Sequence, residues 1–262
     1  MRALSTAASG MMAMQLNVQV IANNLANMTT TGYKRQRAEF EDLLYEHVSR
    51  IGTQTSSQGN ILPVGIDLGS GVKSVGTPRL MTQGTLTQTG ASLDVAIRGQ
   101  GFFKIQMPDG TYAYTRDGSF QMDAQGRIVT AQGNVVMPSI SIPANSTGLT
   151  INSQGQVSVI PQGSTTPTVL GQITLTRFVN QAGLLPVGDN LYTETPASGT
   201  PQDGLPSTDG AGDLLQGNLE QSNVDSVSEI TNLIAAQRAY EMNSKVITAA
   251  DQMLQTNANL MR

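Results

Sequence analysis

The chain begins and ends in apolar stripes, and these restrict its fold more than any other feature. At the front, Leu4, Ala7, Met11, Met14, Val18, Ile21, Leu25 and Met28 follow one another at spacings of three and four. At the back, Leu233, Tyr240, Ile247, Leu254 and Met261 recur every seven residues, with Val246, Met253 and Leu260 beside them in the same repeat. This is coiled-coil periodicity. A stripe of this kind has to be covered by another helix, and a helix left alone with its stripe exposed has little reason to stay helical. The two stripes flank a long middle of different character. The chain therefore closes on itself through its ends, packs them on other subunits, or does both.

Residues 1–28 read as an amphipathic helix, with Ser5 or Thr6 able to cap its start and Thr29-Thr30-Thr31-Gly32 stopping it. Residues 34–46 read as a short second helix with Phe40, Leu43 and Leu44 on one face. From 47 to 70, Ser, Gln, Gly and Thr dominate, which predicts a loop or an irregular extended arm. From 71 to 221 the pattern is strand and turn. Val72, Leu86, Leu93–Ile97, Phe102–Met107, Tyr112–Thr115, Phe120–Met122 and Ile128–Thr130 are β-type runs. Pro108-Asp109-Gly110, Asp117-Gly118 and Gln125-Gly126 between them suit hairpin turns. The string from Phe120 to Val129 is echoed from Leu149 to Ser158, each a strand, a turn with Gly and a strand. Residues 196–213, with several Pro and Gly, read as a long surface loop. From Ser222 onward the helical pattern returns, with Asn223 or Asp225 as cap. The fold class is α+β and multi-domain. A terminal helical domain takes residues 1–33 and 222–262; a connecting segment takes 34–70; an all-β domain takes 71–221.

Composition removes most chemistry. Aromatics make up 4 % of the 262 residues, which suits several thin layers better than one thick core. The net charge of −4 argues against a nucleic-acid partner. The one basic cluster, Lys34, Arg35 and Arg37, reads as a solvated helix end or linker. Cysteine is absent, which excludes disulfides, thiol catalysis and thiolate metal sites. His47 is the single histidine and has no nucleophile motif near it, so it reads as a solvated surface residue. Asp94, Asp109, Asp117 and Asp123 fall mostly at turns, where Asp bonds its own backbone. Gly99-x-Gly101 lacks the third Gly of a dinucleotide loop and reads as a bulge or tight turn before a strand. No catalytic, metal or cofactor site is expected. No apolar run approaches membrane-spanning length, and residues 1–30 lack the pattern of a secretory signal. The remaining chemistry is packing.

Ala22-Asn23-Asn24-Leu25-Ala26-Asn27, continuing through Thr29-Thr30-Thr31-Gly32-Tyr33-Lys34, closely resembles the signature shared by bacterial flagellar rod and hook proteins, with Tyr33 at their aromatic position. The opening from Leu4 to Met11 resembles the same family. So do Gly217 to Asp225 and Ala236 to Lys245 at the other end, and in the middle Arg98-Gly-Gln-Gly-Phe-Phe and Tyr114-Thr-Arg-Asp-Gly-Ser-Phe. The stretch from Tyr45 to Val72 resembles the insertion of the distal-rod branch, associated there with a straight, rigid rod. The resemblance implies a self-assembling structural subunit and no enzyme activity. The paired, coiled-coil-like terminal helices would line an export channel, the β domain would stand outside it, and copies would stack in a helical tube that transmits torque. Implied partners are copies of the chain, proximal rod proteins below, hook protein above, surrounding ring proteins, and the flagellar type III apparatus that exports the subunit into the periplasmic basal body without a cleaved signal. Asn23, Asn24, Leu25, Asn27, Gly32, Tyr33 and Lys34 would serve subunit packing, Phe40 and Leu44 an export-gate element, and Gln54, Leu62, Pro63 and Gly65 a rigidity segment. The competing readings are another rod or hook-type subunit of the family and, in a different class, a secreted β-rich module that binds or hydrolyses glycan.

Overall fold

The computed structural model describes residues 2–49, 64–163, 166–208 and 210–260. The chain forms two compact units. Met1–Leu25, Gln36–Pro78 and Asp225–Arg262 make the first, and Ala26–Arg35 and Arg79–Val224 the second.

The first unit holds the two long helices, α1 (Arg2–Ala26) and α2 (Ser226–Leu260), and four short strands. α1 starts ahead of Ser5 and Thr6, so neither caps it; Ser9 Oγ donates to the Thr6 carbonyl within the helix at 2.8 Å. α2 is capped by Asp225, whose Oδ1 accepts the Val227 amide at 3.2 Å and whose carbonyl accepts Ser228 Oγ. The helices meet at Asn24 and at Gly10. Asn24 Nδ2 donates to Glu229 Oε2 at 3.1 Å. At Gly10 a Cβ would stand 3.0 Å from Asn243 Nδ2, so this glycine admits a close approach. Fourteen steps back along α1 match fourteen steps forward along α2, which makes the pair antiparallel. On α2, Glu229, Ala236 and Ala250 are buried and Leu233, Asn243 and Ile247 half-buried, a single narrow face. Ile230, Ile234, Tyr240, Val246, Met253 and Leu254 are exposed.

The short helix expected over 34–46 does not form. Residues 39–49 are two strands, β1 (Glu39–Asp42) and β2 (Tyr45–Ser49), and they pair antiparallel with β4 (Val72–Gly76) and β3 (Ile66–Gly69) respectively. Phe40, Leu43 and Leu44 lie at helical spacing, yet Leu44 is 88 % exposed, and ladder bonds to a segment thirty residues away satisfy the backbone instead. The same pairing puts regular strand at 47–49 and 66–69, where an irregular arm is expected. Residues 50–63, including Gln54, Leu62 and Pro63, lie outside the described residues.

The second unit is β. Its strands are β5 (Leu86–Gln88), β6 (Val95–Arg98), β7 (Phe102–Gln106), β8 (Tyr112–Thr115), β9 (Gln121–Met122), β10 (Ile128–Val129), β11 (Val135–Met137), β12 (Ser146–Ile151), β13 (Gln156–Pro161), β14 (Thr168–Gln172), β15 (Leu175–Arg177), β16 (Leu185–Gly188), β17 (Leu191–Thr193), β18 (Gln202–Gly204), β19 (Asp213–Gln216) and β20 (Asn218–Glu220). Among the described residues one sheet runs β16-β17-β8-β7-β11-β10-β9, with β15 joined to β7 and β18 to β15; a second runs β12-β13-β14. β7 is central, and Phe102, Phe103 and Ile105 on it are buried on both faces. Phe103 meets Phe120 edge-on with centroids 4.9 Å apart. β19 pairs with β6 and β20 with β5, so the last strands before α2 close against the first strands of the unit.

The echo in sequence is an echo in geometry. Asp123 Oδ1 accepts the amides of Gln125 and Arg127, and Asn152 Oδ1 those of Gln154 and Gln156. Gly126 and Gly155 follow at φ +79° and +81°, and their carbonyls accept the amides of Ile142 and Ile173. Asp109 and Asp117 likewise bond backbone two residues on, at Thr111 and Ser119. Asp117-Gly118 is not a hairpin turn, however. Gly118 lies against the Val95 carbonyl where no Cβ fits, and the chain crosses to β6 there. Within 196–213, expected as a loop, Gln202–Gly204 forms β18 because its backbone completes the ladder on β15.

Candidate functional site

The signature strings at the two ends of the chain fold onto each other. In the second unit, the Gly32 amide donates to the Glu220 carbonyl at 2.8 Å. Lys34 Nζ reaches Glu220 Oε1 at 2.5 Å and donates to the Thr82 carbonyl at 2.8 Å. Arg116 closes on the other carboxylate oxygen, with Nε and Nη2 at 3.0 and 2.9 Å, while Nη1 donates to the Gly99 and Gly101 carbonyls. The Gly84 amide completes the shell on Oε1 at 2.9 Å. Asn223 adds a clamp: its Oδ1 accepts the Arg35 amide at 2.7 Å, and its Nδ2 donates to the Leu80 and Thr82 carbonyls.

All three charged groups are out of water, with Lys34 and Glu220 1 % exposed and Arg116 5 %. Burial pushes the Lys34 ammonium below its ordinary pKa, Arg116 adds to that, and Glu220 opposes it. Two cations share one fully bonded carboxylate, an arrangement that is costly to break from either side. Gly99 and Gly101, at φ +110° and +140°, shape the bend between β6 and β7 that turns both carbonyls onto Arg116.

The first unit carries the other part of the signature. Asn24 is buried, and its amide pairs with both the N–H and C=O of Gln36, at 2.9 and 2.8 Å, before reaching Glu229. One side chain thus fixes the returning chain and the facing helix together.

Among the remaining signature residues, Gly32 and Tyr33 are buried, Leu25 and Asn27 half-buried and Asn23 exposed. Of the stripe residues, Ile21 is buried and Leu4, Met11, Val18, Leu233 and Ile247 are half-buried. Tyr240 and Leu254 are exposed, and Met261 is outside the described residues. Phe40 and Gly65 are half-buried. The basic cluster read as solvated is corrected: Lys34 is enclosed, because a carboxylate 186 residues away neutralises it. Glu220 and Arg116 lay inside the quoted strings, but no local pattern marks them as partners. His47 is exposed and pairs with Asp67 across β2 and β3 at 2.6 Å. Among the described residues no three metal-ligating side chains gather, and no helix is long and apolar enough to cross a membrane.

Tyr114 packs edge-on against Phe178 in a small aromatic cluster. Its phenol is pushed up to about 12, by burial first and then by Glu194 and Asp203. The fold thus favours the neutral phenol. That stability is complete below pH 10, the ordinary tyrosine value, and is lost as pH rises towards 12. Lys34, lowered by burial, contributes with the opposite sign below 10.5. Melting temperatures of the chain and of Tyr114→Phe, taken from pH 9 to 12, are expected to converge as pH rises. Parallel curves would refute the assignment.

Three families match the chain. Residues 4–34 match "Flagella basal body rod protein", 96–159 match "Flagellar hook protein FlgE/F/G D1 domain", and 215–260 match "Flagellar basal body rod FlgEFG protein C-terminal". Lys34 and Glu220 fall in the first and last of these. The chain is 55 % identical to the flagellar basal-body rod protein FlgG of Caulobacter vibrioides, over 99 % of both chains. It is 51 % identical to FlgG of Buchnera aphidicola subsp. Acyrthosiphon pisum, over 96 % of both. Against FlgF of the same Caulobacter the identity is 37 %, over 94 % of this chain and 91 % of that one.

Proposed function

The chain belongs to the flagellar basal-body rod proteins, in their FlgG branch, and from that premise we propose how it builds the distal rod of which it is a structural subunit. α1 and α2 form the inner wall of a tube in coiled-coil fashion, around an export channel, and the β unit stands outside. Copies stack by a heterologous contact that does not close on itself. The assembly is part of the flagellar basal body and crosses the periplasmic space. Proximal rod proteins lie below it, hook protein above and ring proteins around it, and it transmits torque without any enzyme activity. The chain is exported from the cytoplasm through the flagellar type III apparatus, and the Phe40–Leu44 stretch, with Leu44 88 % exposed, is the element its gate would read.

The observation that carries this reading is the set of apolar side chains that α2 leaves exposed. Its narrow covered face runs through Glu229, Leu233, Ala236, Asn243, Ile247 and Ala250. Ile230 and Ile234 on one flank of that face, Val246 and Met253 on the other, and Leu254 near the far end stay 41–62 % exposed on an uninterrupted helix. Large apolar side chains left open on both flanks mark an interaction surface. Full-length protein concentrated in vitro and viewed by electron microscopy should form straight tubes. A chain that stays monomeric at every concentration and never joins a rod in cells refutes the proposal.

Rigidity is assigned to the segment around β2 and β3. Tyr45, Val48, Val64, Ile66 and Leu68 are all at least 45 % exposed there, a ribbon two strands wide with little core of its own. Deleting residues 54–64 is expected to leave export unchanged and to yield curved assemblies in place of straight ones. Straight rods from the deletion would remove the segment from this role.

A further inference from the structure

We propose that the β1–β4 hairpin is a splint clamped along α1 at two points, and that the contact of Ser9 with Gly71 and Val72 is the second clamp, which sets the direction in which the hairpin leaves the helix. β1/β4 and β2/β3 are one arm. Asp42 pairs with Val72 and Tyr45 with Gly69, so the register does not slip between them. The Leu43 amide donates to the Gly71 carbonyl at 2.8 Å, and the Ser70 amide to the Leu44 carbonyl at 3.2 Å. In a regular antiparallel ladder, hydrogen-bonded pairs alternate with open ones. Here two neighbouring pairs are bonded, so the ladder changes phase at Gly71, whose φ is +121°.

The first clamp is Asn24, whose side chain holds both the N–H and the C=O of Gln36. The second is Ser9. Beside the bonded pair of Leu43 and Gly71, the Val72 amide points out of the ladder. It donates to Ser9 Oγ at 3.3 Å, while that hydroxyl donates to the Thr6 carbonyl at 2.8 Å. Gly71 lets the arm come this close, since a Cβ there would collide with Ser9 Oγ. The two spans agree in length. Ser9 and Asn24 lie fifteen residues apart on α1, about 22 Å of helix. Gln36 and Asp42, the partner of Val72, lie six residues apart, about 20 Å of strand. A strip fixed at one point swings, and fixed at two it has one direction. Past Ser9 the arm stands free: Tyr45–Val48 and Ile66–Gly69 are exposed throughout. A cavity of about 430 Å³, lined by Ala3, Thr6, Glu46, Leu68, Asn243 and Val246, separates this outer half from the helix pair. The consequence for the rod rests on the rigidity assigned to the segment above: a load on the outer half reaches α1 through Ser9.

The test uses the full-length chain, which has no cysteine of its own. Nitroxide labels are placed at Val48→Cys in the arm and Arg238→Cys on α2, both exposed positions, and pulsed electron resonance reads the distance between them. Val48 stands twice as far along the strand from Gln36 as Asp42 does, so a displacement at Ser9 is about doubled at the label. In Ser9→Leu the added bulk is expected to lift the arm and shift the mean distance. In Ser9→Ala, which adds no bulk and removes only the hydroxyl, the distribution is expected to broaden about the same mean. A wild-type distribution in Ser9→Leu overturns the proposal, and so does a wild-type width in Ser9→Ala. Rods built from Ser9→Leu in cells separate this proposal from the reading it rests on. Curved rods with a displaced arm support both, whereas straight rods with a displaced arm uphold the clamp and count against the segment as the source of rigidity.

Discussion

Glu220→Ala is expected to cost the β unit about 3–5 kcal/mol, the range for breaking a buried ion pair from one side. The substitution removes four bonds to the carboxylate and leaves Lys34 and Arg116 as neighbouring cations in a site that water does not reach. At about 2–4 °C per kcal/mol for a unit of this size, the melting transition should fall by roughly 6–20 °C. Lys34→Met alone should cost less, because Arg116 and the Gly84 amide still satisfy Glu220. Combined with Glu220→Leu it should recover part of the loss, since apolar replacement of buried ions is often tolerated. Urea unfolding followed by protection of the β7 amides measures all three. A loss below about 1 kcal/mol for Glu220→Ala would show that solvent enters the site and that the triad is not the lock described.

The second large effect falls on assembly and leaves the single chain intact. Ile234 is 45 % exposed on α2, so Ile234→Asp should cost the isolated fold less than about 1 kcal/mol. In a tube that covers this face, every copy would bury a carboxylate without a partner. At about 3 kcal/mol per contact, the concentration needed for polymer rises by more than a hundredfold. The expected result is a folded, soluble chain that forms no tubes under wild-type conditions. Ile247→Asp should act differently: Ile247 is half-buried on the face toward α1 and should loosen the helix pair itself. Normal tubes from Ile234→Asp would mean that the outer face of α2 stays open to solvent in the rod.

The helices, the β-rich middle and most strand positions were legible because each is written in local pattern. The seven-residue repeat, the run Phe102–Gln106 and the Asp and Asn turns at 123 and 152 carry their structure within a dozen residues. The miss at 34–46 has the same root. Phe40, Leu43 and Leu44 stand at helical spacing, and nothing nearby announces that Val72–Gly76 will pair with them. Gln202–Gly204 was read as loop for the same reason, since its ladder partner is β15.

The signature strings stand in the sequence itself and carry the family resemblance. Their physical meaning was not visible. Lys34 beside Arg35 and Arg37 looks like a solvated basic patch, since local charge is all that a sequence displays. Its carboxylate lies 186 residues on, and Asn24 meets Glu229 across 205. By itself the sequence determined that two terminal helices need partners, that the middle is β, and that catalytic chemistry is missing from its motifs. Only the tertiary structure decided that the ends are joined by a buried triad and an asparagine clamp, and which apolar side chains of α2 remain exposed. Burial and charge pairing between distant segments are properties of the closed chain, and periodicity can state the need for them without naming the partner.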